Sequence, residues 1–170
     1  MAIASGHTWR PMRPGDLGRV AAIAAEVHPD FPEDDAVFAE RLALYPEGCL
    51  MLEAAGSPAG YVVSHPWRSG QLPALNALLT KLPDDRSTYY IHDLALLPAA
   101  RGSGAASAIV AILVGQAVAE GLPDLSLVAV NNSQGFWQRH GFSVVTDPAL
   151  ADKLASYDAA ARLMVRPTRG

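Results

Sequence analysis

The sequence predicts a mixed α/β (α+β) fold, with short strands interspersed with helices around one sheet. Three observations carry this. Apolar runs of strand length recur along the chain. A mostly apolar run, Tyr89–Leu97, is followed after a Gly-containing turn by a long apolar helical stretch, and no repeat or low-complexity tract breaks the order. The 170 residues suit one compact unit spanning 1–170, and with half of them hydrophobic and 18% charged a disordered chain is excluded.

Taken in order, Trp9–Met12 reads as a strand, and Asp16 is placed to cap a helix whose apolar face is Leu17, Val20, Ala21 and Ala24. Val27–Pro32 is a Pro-interrupted loop, and a second helix starts near Asp34, carrying Val37, Phe38, Leu42 and Tyr45. Gly48–Glu53 and Gly60–His65 form a hairpin across a turn-rich linker. Pro66–Arg86 is a long insertion around a short apolar piece, Leu75–Leu79, and loops of that length are often functional. Tyr89–Leu97 is apolar as a central strand should be. A helix to Glu120, a strand at Leu125–Val130, a short helix at Ser133–Arg139 and a strand at Phe142–Val145 follow. A last helix near Leu150–Tyr157 leads to a strand at Arg162–Val165, which pairs either within the chain or across a homodimer.

Composition also narrows function. A formal charge of −4 with no Lys/Arg tract argues against general nucleic-acid binding. Cys49 is the single cysteine, so neither an intramolecular disulfide nor a Cys-based zinc site is expected, and it reads as a small buried residue. No metal is expected. The first residues lack signal-peptide order and Ala105–Val114 is too short to span a bilayer, so a cytoplasmic protein without a membrane partner is expected.

Arg101-Gly102-Ser103-Gly104-Ala105-Ala106 lies between strand and helix. Its glycines permit a sharp turn, the helix N-terminus offers unpaired N–H donors, and Arg101 adds charge, so a pyrophosphate is the natural guest. A P-loop would need a Lys, which the turn lacks, and a dinucleotide fingerprint would need glycine at Ser107. A third reading is the acyl-CoA motif Arg/Gln-x-x-Gly-x-Gly/Ala, matched by Arg101, Gly104 and Ala106. A purely structural turn is the fourth.

The segment from Asp93 to Ala106 resembles the strand-and-turn core of GNAT acyltransferases, and Phe136–Phe142 resembles their short helix ending in Gly-Phe. The opening Arg10–Asp16 and the element order fit as well, and the resemblance runs from about residue 9 to 145. Tyr45-Pro-Glu47, Ser64–Trp67 and the insertion before Tyr90-Ile-His92 resemble the arylalkylamine N-acetyltransferases within that superfamily.

This resemblance implies a mostly antiparallel mixed sheet of six to seven strands flanked by helices. The sheet splays between its fourth and fifth strands, Tyr89–Leu97 and Leu125–Val130, to admit acyl-CoA. It implies that Leu94, Ala95 and Leu96 pair with the pantetheine arm and that the N–H groups of Gly102, Ser103, Gly104, Ala105 and Ala106 hold the pyrophosphate. Asn131 or Asn132 is placed to bond the arm, an ordinary turn being the alternative. Acetyl-CoA is then the cosubstrate and a small-molecule primary amine the acceptor, an arylalkylamine or a polyamine.

Acyl transfer to an amine needs a base, because an alkylammonium is mostly charged at neutral pH. His92 suits that role, a packed or hydrogen-bonded strand histidine being the alternative. The subgroup carries a His-x-His pair here, but this chain has Tyr90 at the first position, placed to hold a water or His92 itself. Strand alternation sends Asp93 to the face opposite His92, where it anchors a loop or orients the amine. Many GNAT enzymes carry a Tyr acid where this chain has Trp137, and an indole is no practical proton donor. Trp137 is expected to pack against the acyl-pantetheine, with water, Tyr90 or no acid serving the thiolate; His140 is expected to be structural. Glu26, His28, Asp30, Glu33, Asp34 and Asp35 make an acidic loop, either simply solvated or drawing a cationic amine, and Pro66, Trp67 and Leu75–Leu79 make either an apolar wall for an aryl or alkyl group or a plain packing lid. The alternatives are a non-catalytic acyl-CoA-binding module, an acetyltransferase of protein N-termini or lysines, and a nucleotide-binding α/β protein.

Overall fold

A computed structural model describes residues 2–169. Seven strands form one sheet in the order β1-β2-β3-β4-β5-β7-β6. They are β1 His7–Pro11, β2 Cys49–Ala54, β3 Ser57–Trp67, β4 Thr88–Leu96, β5 Asp124–Ala129, β6 Ser143–Val144 and β7 Arg162–Pro167. All neighbours run antiparallel except β4 and β5, so the mostly antiparallel mixed sheet expected is observed. The strand at Arg162–Pro167 pairs within the chain, between β5 and β6.

The helices are α1 Leu17–Val27, α2 Asp35–Leu44, α3 Ala105–Ala119, α4 Gln134–Arg139 and α5 Ala151–Ala155. Strand alternation splits the core into two layers. On one face Tyr61 and Val63 of β3 meet Val20 and Ile23 of α1 and Phe38 and Leu42 of α2. On the other, Val62, Tyr89, Ile91 and Leu127 meet Ile109, Val110 and Leu113 of α3. Leu113 is fully buried there, so truncation to Ala costs about 2–5 kcal/mol.

Two local expectations need correction. Asp16 does not cap α1 with its side chain; its carboxylate instead accepts the Arg13 N–H at 2.7 Å and two guanidinium N–H groups of Arg10 at 2.8 Å. A forked cation alongside offers better geometry than the first-turn amides. Second, β3 runs from Ser57 to Trp67 and takes in Pro58 and Pro66, both near strand ends, where a missing donor is best tolerated.

The 68–87 insertion forms neither helix nor strand. It is stapled to α2 through Glu40, which accepts the N–H groups of Leu79 at 2.6 Å and Thr80 at 2.9 Å. Buried Arg41 donates to the Ala77 carbonyl at 3.2 Å. These bonds hold Pro73 and Leu75 over one end of β4.

Candidate active site

β4 and β5 pair only at Tyr89 with Leu125 and Tyr90 with Ser126, and beyond them the strands part. Thr88 clamps the joined end, its hydroxyl lying 2.6 Å from Asp124 Oδ1 and 2.8 Å from Ser126 Oγ. Directly after this clamp the β3–β4 register slips, pairing Ser64 with Ile91 and Val63 with Asp93, so His92 is an extra, bulged residue. A bulge adds twist and bends its strand, which here turns β4 away from β5.

The bulge also resets alternation. Asp93 does not face away from His92 as strand periodicity predicts. Ile91 and Leu94 pack on the α3 side, whereas His92 and Asp93 both reach the segment after α1. His92 Nε2 lies 2.8 Å from Glu33 Oε1, with both side chains 6% exposed. Asp93 Oδ1 lies 2.9 Å from His28 Nε2, an ion-pair contact without hydrogen-bond angles, and its other oxygen accepts the Tyr61 hydroxyl.

Charge settles in opposite directions on the two partners. Burial pulls the His28 imidazole down, but the Asp93 carboxylate outweighs it and leaves its pKa raised. Burial pushes Glu33 up, but the bond and charge of His92, the Asn76 N–H and the charge of Arg41 together hold the carboxyl below its ordinary value. Glu33 Oε2 also accepts the Asn76 N–H at 3.1 Å, tying the insertion to this cluster. An ionised Glu33 favours the His92 tautomer protonated at Nε2. Nδ1 has no protein partner among the described residues and is not a sealed, unpaired atom, so it remains open to the cleft.

The parted strands enclose a cleft of about 1000 Å³. Its middle is an apolar slot walled by Leu94 and Leu96 of β4 and by Leu127 and Val128 of β5. One end holds Glu26, Asp30, Glu33, His92 and Asp93, with Phe31, Pro73 and Leu75 as apolar neighbours. Pro66 and Trp67 are not part of that wall: Trp67 stacks edge-on against buried His65, 5.4 Å between centroids. Nor do Leu78 and Leu79 reach the cleft.

Tyr90 and Tyr157 close the same end. The two phenols lie close enough to influence each other, and Tyr157 donates to the Pro73 carbonyl. Burial pushes the Tyr157 phenol up to about 12 and Tyr90 higher, so both stay protonated. Tyr90 therefore engages Tyr157, and Glu33 takes the place beside His92 expected of Tyr90. Glu33 and Tyr157 lie 59 and 65 residues from His92 in sequence, and no local pattern links them; only the acidic character of the 26–35 loop pointed to Glu33.

The other end is the turn before α3. Arg101, Gly102, Gly104 and Ala106 line it, and among the described residues the N–H groups of Gly102, Gly104 and Ala106 find no protein acceptor. Ser103 and Ala105 are turned inward. The Ser103 hydroxyl donates to the Ala100 carbonyl and accepts the Ala105 N–H, while the Ala105 carbonyl takes the Trp9 indole N–H. Ala95 is likewise buried on the α1/α2 side. Asn131 and Asn132 both adopt left-handed turn conformations, φ 54° and 57°, and of the two only Asn131 lines the cleft. Trp137 is 7% exposed, packed edge-on between Phe136 and Phe142, and shows its ring to the slot.

A splayed β4/β5 pair leading into an amide-lined turn is the arrangement expected of the acyl-CoA motif. The family model for the acetyltransferase (GNAT) family matches residues 17–142. The chain belongs to the GNAT family. It is thus an acyl-CoA-dependent N-acetyltransferase with acetyl-CoA as cosubstrate. A search of curated proteins found no match. Among solved structures, Ard1 from Thermoplasma volcanium is 18% identical, with coverage of 95% of this chain and 97% of that one, at a TM-score of 0.73. The GphF GNAT-like decarboxylase in complex with isobutyryl-CoA is 17% identical over 95% and 100%, at 0.77. Arabidopsis thaliana Naa50 with a bisubstrate analogue is 15% identical over 95% and 98%, at 0.70. At these identities the likeness is one of fold. Among the described residues no helix is long and apolar enough to cross a membrane, and no cluster of candidate metal ligands occurs.

Proposed function

We propose that this chain moves the acetyl group of acetyl-CoA to the primary amine of a small cationic molecule, of the class of short diamines and polyamines. The observation that carries this reading is the blind acidic end of the cleft. Glu33 and Asp93 sit deep beside His92, Glu26 and Asp30 stand at the mouth, and Tyr157 with Pro73 closes the far side. Two levels of carboxylate suit a substrate with a second positive charge. A closed end suits a small acceptor better than a polypeptide, which needs an open groove. Of the loops that resemble the arylalkylamine subgroup only the insertion reaches this end, through Pro73 and Leu75: Tyr45 is in the core, bonded to Glu120, and Trp67 packs on His65.

In this mechanism the N–H groups of Gly102, Gly104 and Ala106 hold the pyrophosphate at the helix N-terminus. Leu94, Leu96 and Leu127 exclude water along the pantetheine arm. His92 Nδ1 accepts a proton from the substrate ammonium, and Glu33 balances the resulting imidazolium. The amine nitrogen then attacks the thioester carbonyl carbon. The tetrahedral intermediate collapses with cleavage of the C–S bond, and the second proton carried by the attacking nitrogen passes, directly or through water, to the departing sulfur, giving the neutral amide and the CoA thiol. A thiolate of ordinary pKa, about 8.5, is a fair leaving group, so the absence of an acid at Trp137 does not block the step.

The test combines binding with turnover. Acetyl-CoA titrated into wild type and Ala106→Glu separates the site from the fold, because position 106 is helical and a glutamate there opposes the pyrophosphate without backbone strain. A thiol-release assay then runs diamines, polyamines, phenethylamine and a short peptide. Preferred acetylation of the peptide, or binding without turnover on any amine, overturns the substrate reading.

A further inference from the structure

A second cavity of about 720 Å³ opens beside the phosphate end of the cleft, and Ser107, Arg139 and His140 line both. Arg166 of β7 closes its other side, with Nη1 donating to the His140 carbonyl at 2.8 Å. No carboxylate lines it, and neither Arg139 nor Arg166 forms an ion pair among the described residues. In a chain of net charge −4 this corner gathers two guanidinium groups and an imidazole around a void. The like charges reinforce one another: burial, then Arg139 and Arg166, hold His140 below its ordinary value. Uncompensated cations around a cavity favour an anion that neutralises them.

Resting on the acyl-CoA reading of the cleft, we propose that Arg139 and Arg166, with the Ser107 hydroxyl, form a subsite for a phosphate monoester, the phosphate on the ribose of CoA. Position selects this ligand. The corner adjoins the first turn of α3, just past the N–H groups of Gly102–Ala106, on the side away from the pantetheine slot. A donor whose pyrophosphate lies on those amides carries its nucleotide outward from them, and the ribose phosphate is the remaining dianion it brings. Forked guanidinium groups match such a phosphate. His140, expected to be structural, supplies its backbone carbonyl to hold Arg166 in place.

The experiment is calorimetric titration of CoA and dephospho-CoA into wild type, Arg139→Gln, Arg166→Gln and the double variant at low salt. Wild type is expected to prefer CoA by about tenfold, the scale of one charge-assisted contact. Each single variant should narrow the ratio, and the double variant should bring it to about one, with dephospho-CoA binding unchanged. Arg139 is exposed, so Arg139→Gln tests the idea even if loss of the Arg166 bond loosens α4. Inorganic phosphate should weaken CoA binding more than dephospho-CoA binding. Equal wild-type affinity for the two ligands, a ratio that survives the double variant, or equal competition by phosphate against both overturns the subsite while leaving the acyl-CoA cleft intact. If neither ligand binds a folded wild type, the acyl-CoA reading itself fails.

Discussion

Gly102 and Gly104 flank Ser103 in the turn before α3 with nearly the same left-handed backbone, φ 77° and 83°, yet their surroundings differ. A Cβ at Gly102 meets nothing within 4 Å. A Cβ at Gly104 would sit 2.6 Å from the Ala2 carbonyl oxygen and 3.2 Å from Ile3 Cα. That N-terminal segment cannot retreat freely, because the Ala4 N–H donates to the Ser103 carbonyl at 2.6 Å and Ile3 packs on Leu52, Ala100 and Ala105. Gly102→Ala therefore carries only the left-handed penalty, about 1–2 kcal/mol. Gly104→Ala adds overpacking against backbone, about 1–3 kcal/mol more. Urea unfolding followed by tryptophan fluorescence should rank Gly104→Ala below Gly102→Ala by that increment at unchanged m. Acetyl-CoA affinity should fall more for Gly104→Ala, because the N–H groups of Gly104 and Ala106 move with the displaced backbone. Equal destabilisation would refute the seating of the N-terminal segment against the turn, and with it the idea that this segment stiffens the phosphate site.

Other expectations follow from the acceptor end. His92→Ala should lower kcat by about 10²–10⁴-fold with the acetyl-CoA dissociation constant unchanged, as measured by thiol release and calorimetry. Glu33→Gln should lower kcat by about tenfold, the loss of one charge-assisted bond, and an unaffected kcat would remove Glu33 from the mechanism. The His28–Asp93 contact predicts a pH effect on stability. The His28 pKa is raised by folding, so its contribution is fully present below the unfolded value near 6.5 and is lost as pH rises through the folded value. Melting temperature should fall as pH increases above about 6.5, and His28→Asn should flatten that slope. A slope that persists in His28→Asn would assign it to another group.

Much of the fold was legible because its elements are locally coded. The apolar run of Tyr89–Leu97, the turn Arg101–Ala106 and the helix after it are contiguous in sequence, and hydrogen-bond chemistry at a helix N-terminus depends on neighbouring residues alone. The glycine turn, its order after a central strand and the position of His92 on that strand were therefore determined by sequence. The acceptor end was not, for two physical reasons. Strand periodicity placed Asp93 opposite His92, and only the β3–β4 register shows the bulge that brings both to one side. Glu33, Tyr157 and Pro73 come from loops far from β4, positioned by insertion contacts such as Glu40 with Leu79. The same holds for Arg139 and Arg166, which line one cavity only because β7 inserts beside β5 and carries Arg166 to the His140 carbonyl. Local hydrogen bonding wrote the amide-lined turn into the sequence, whereas long-range strand order decided which charges line the cleft at either end.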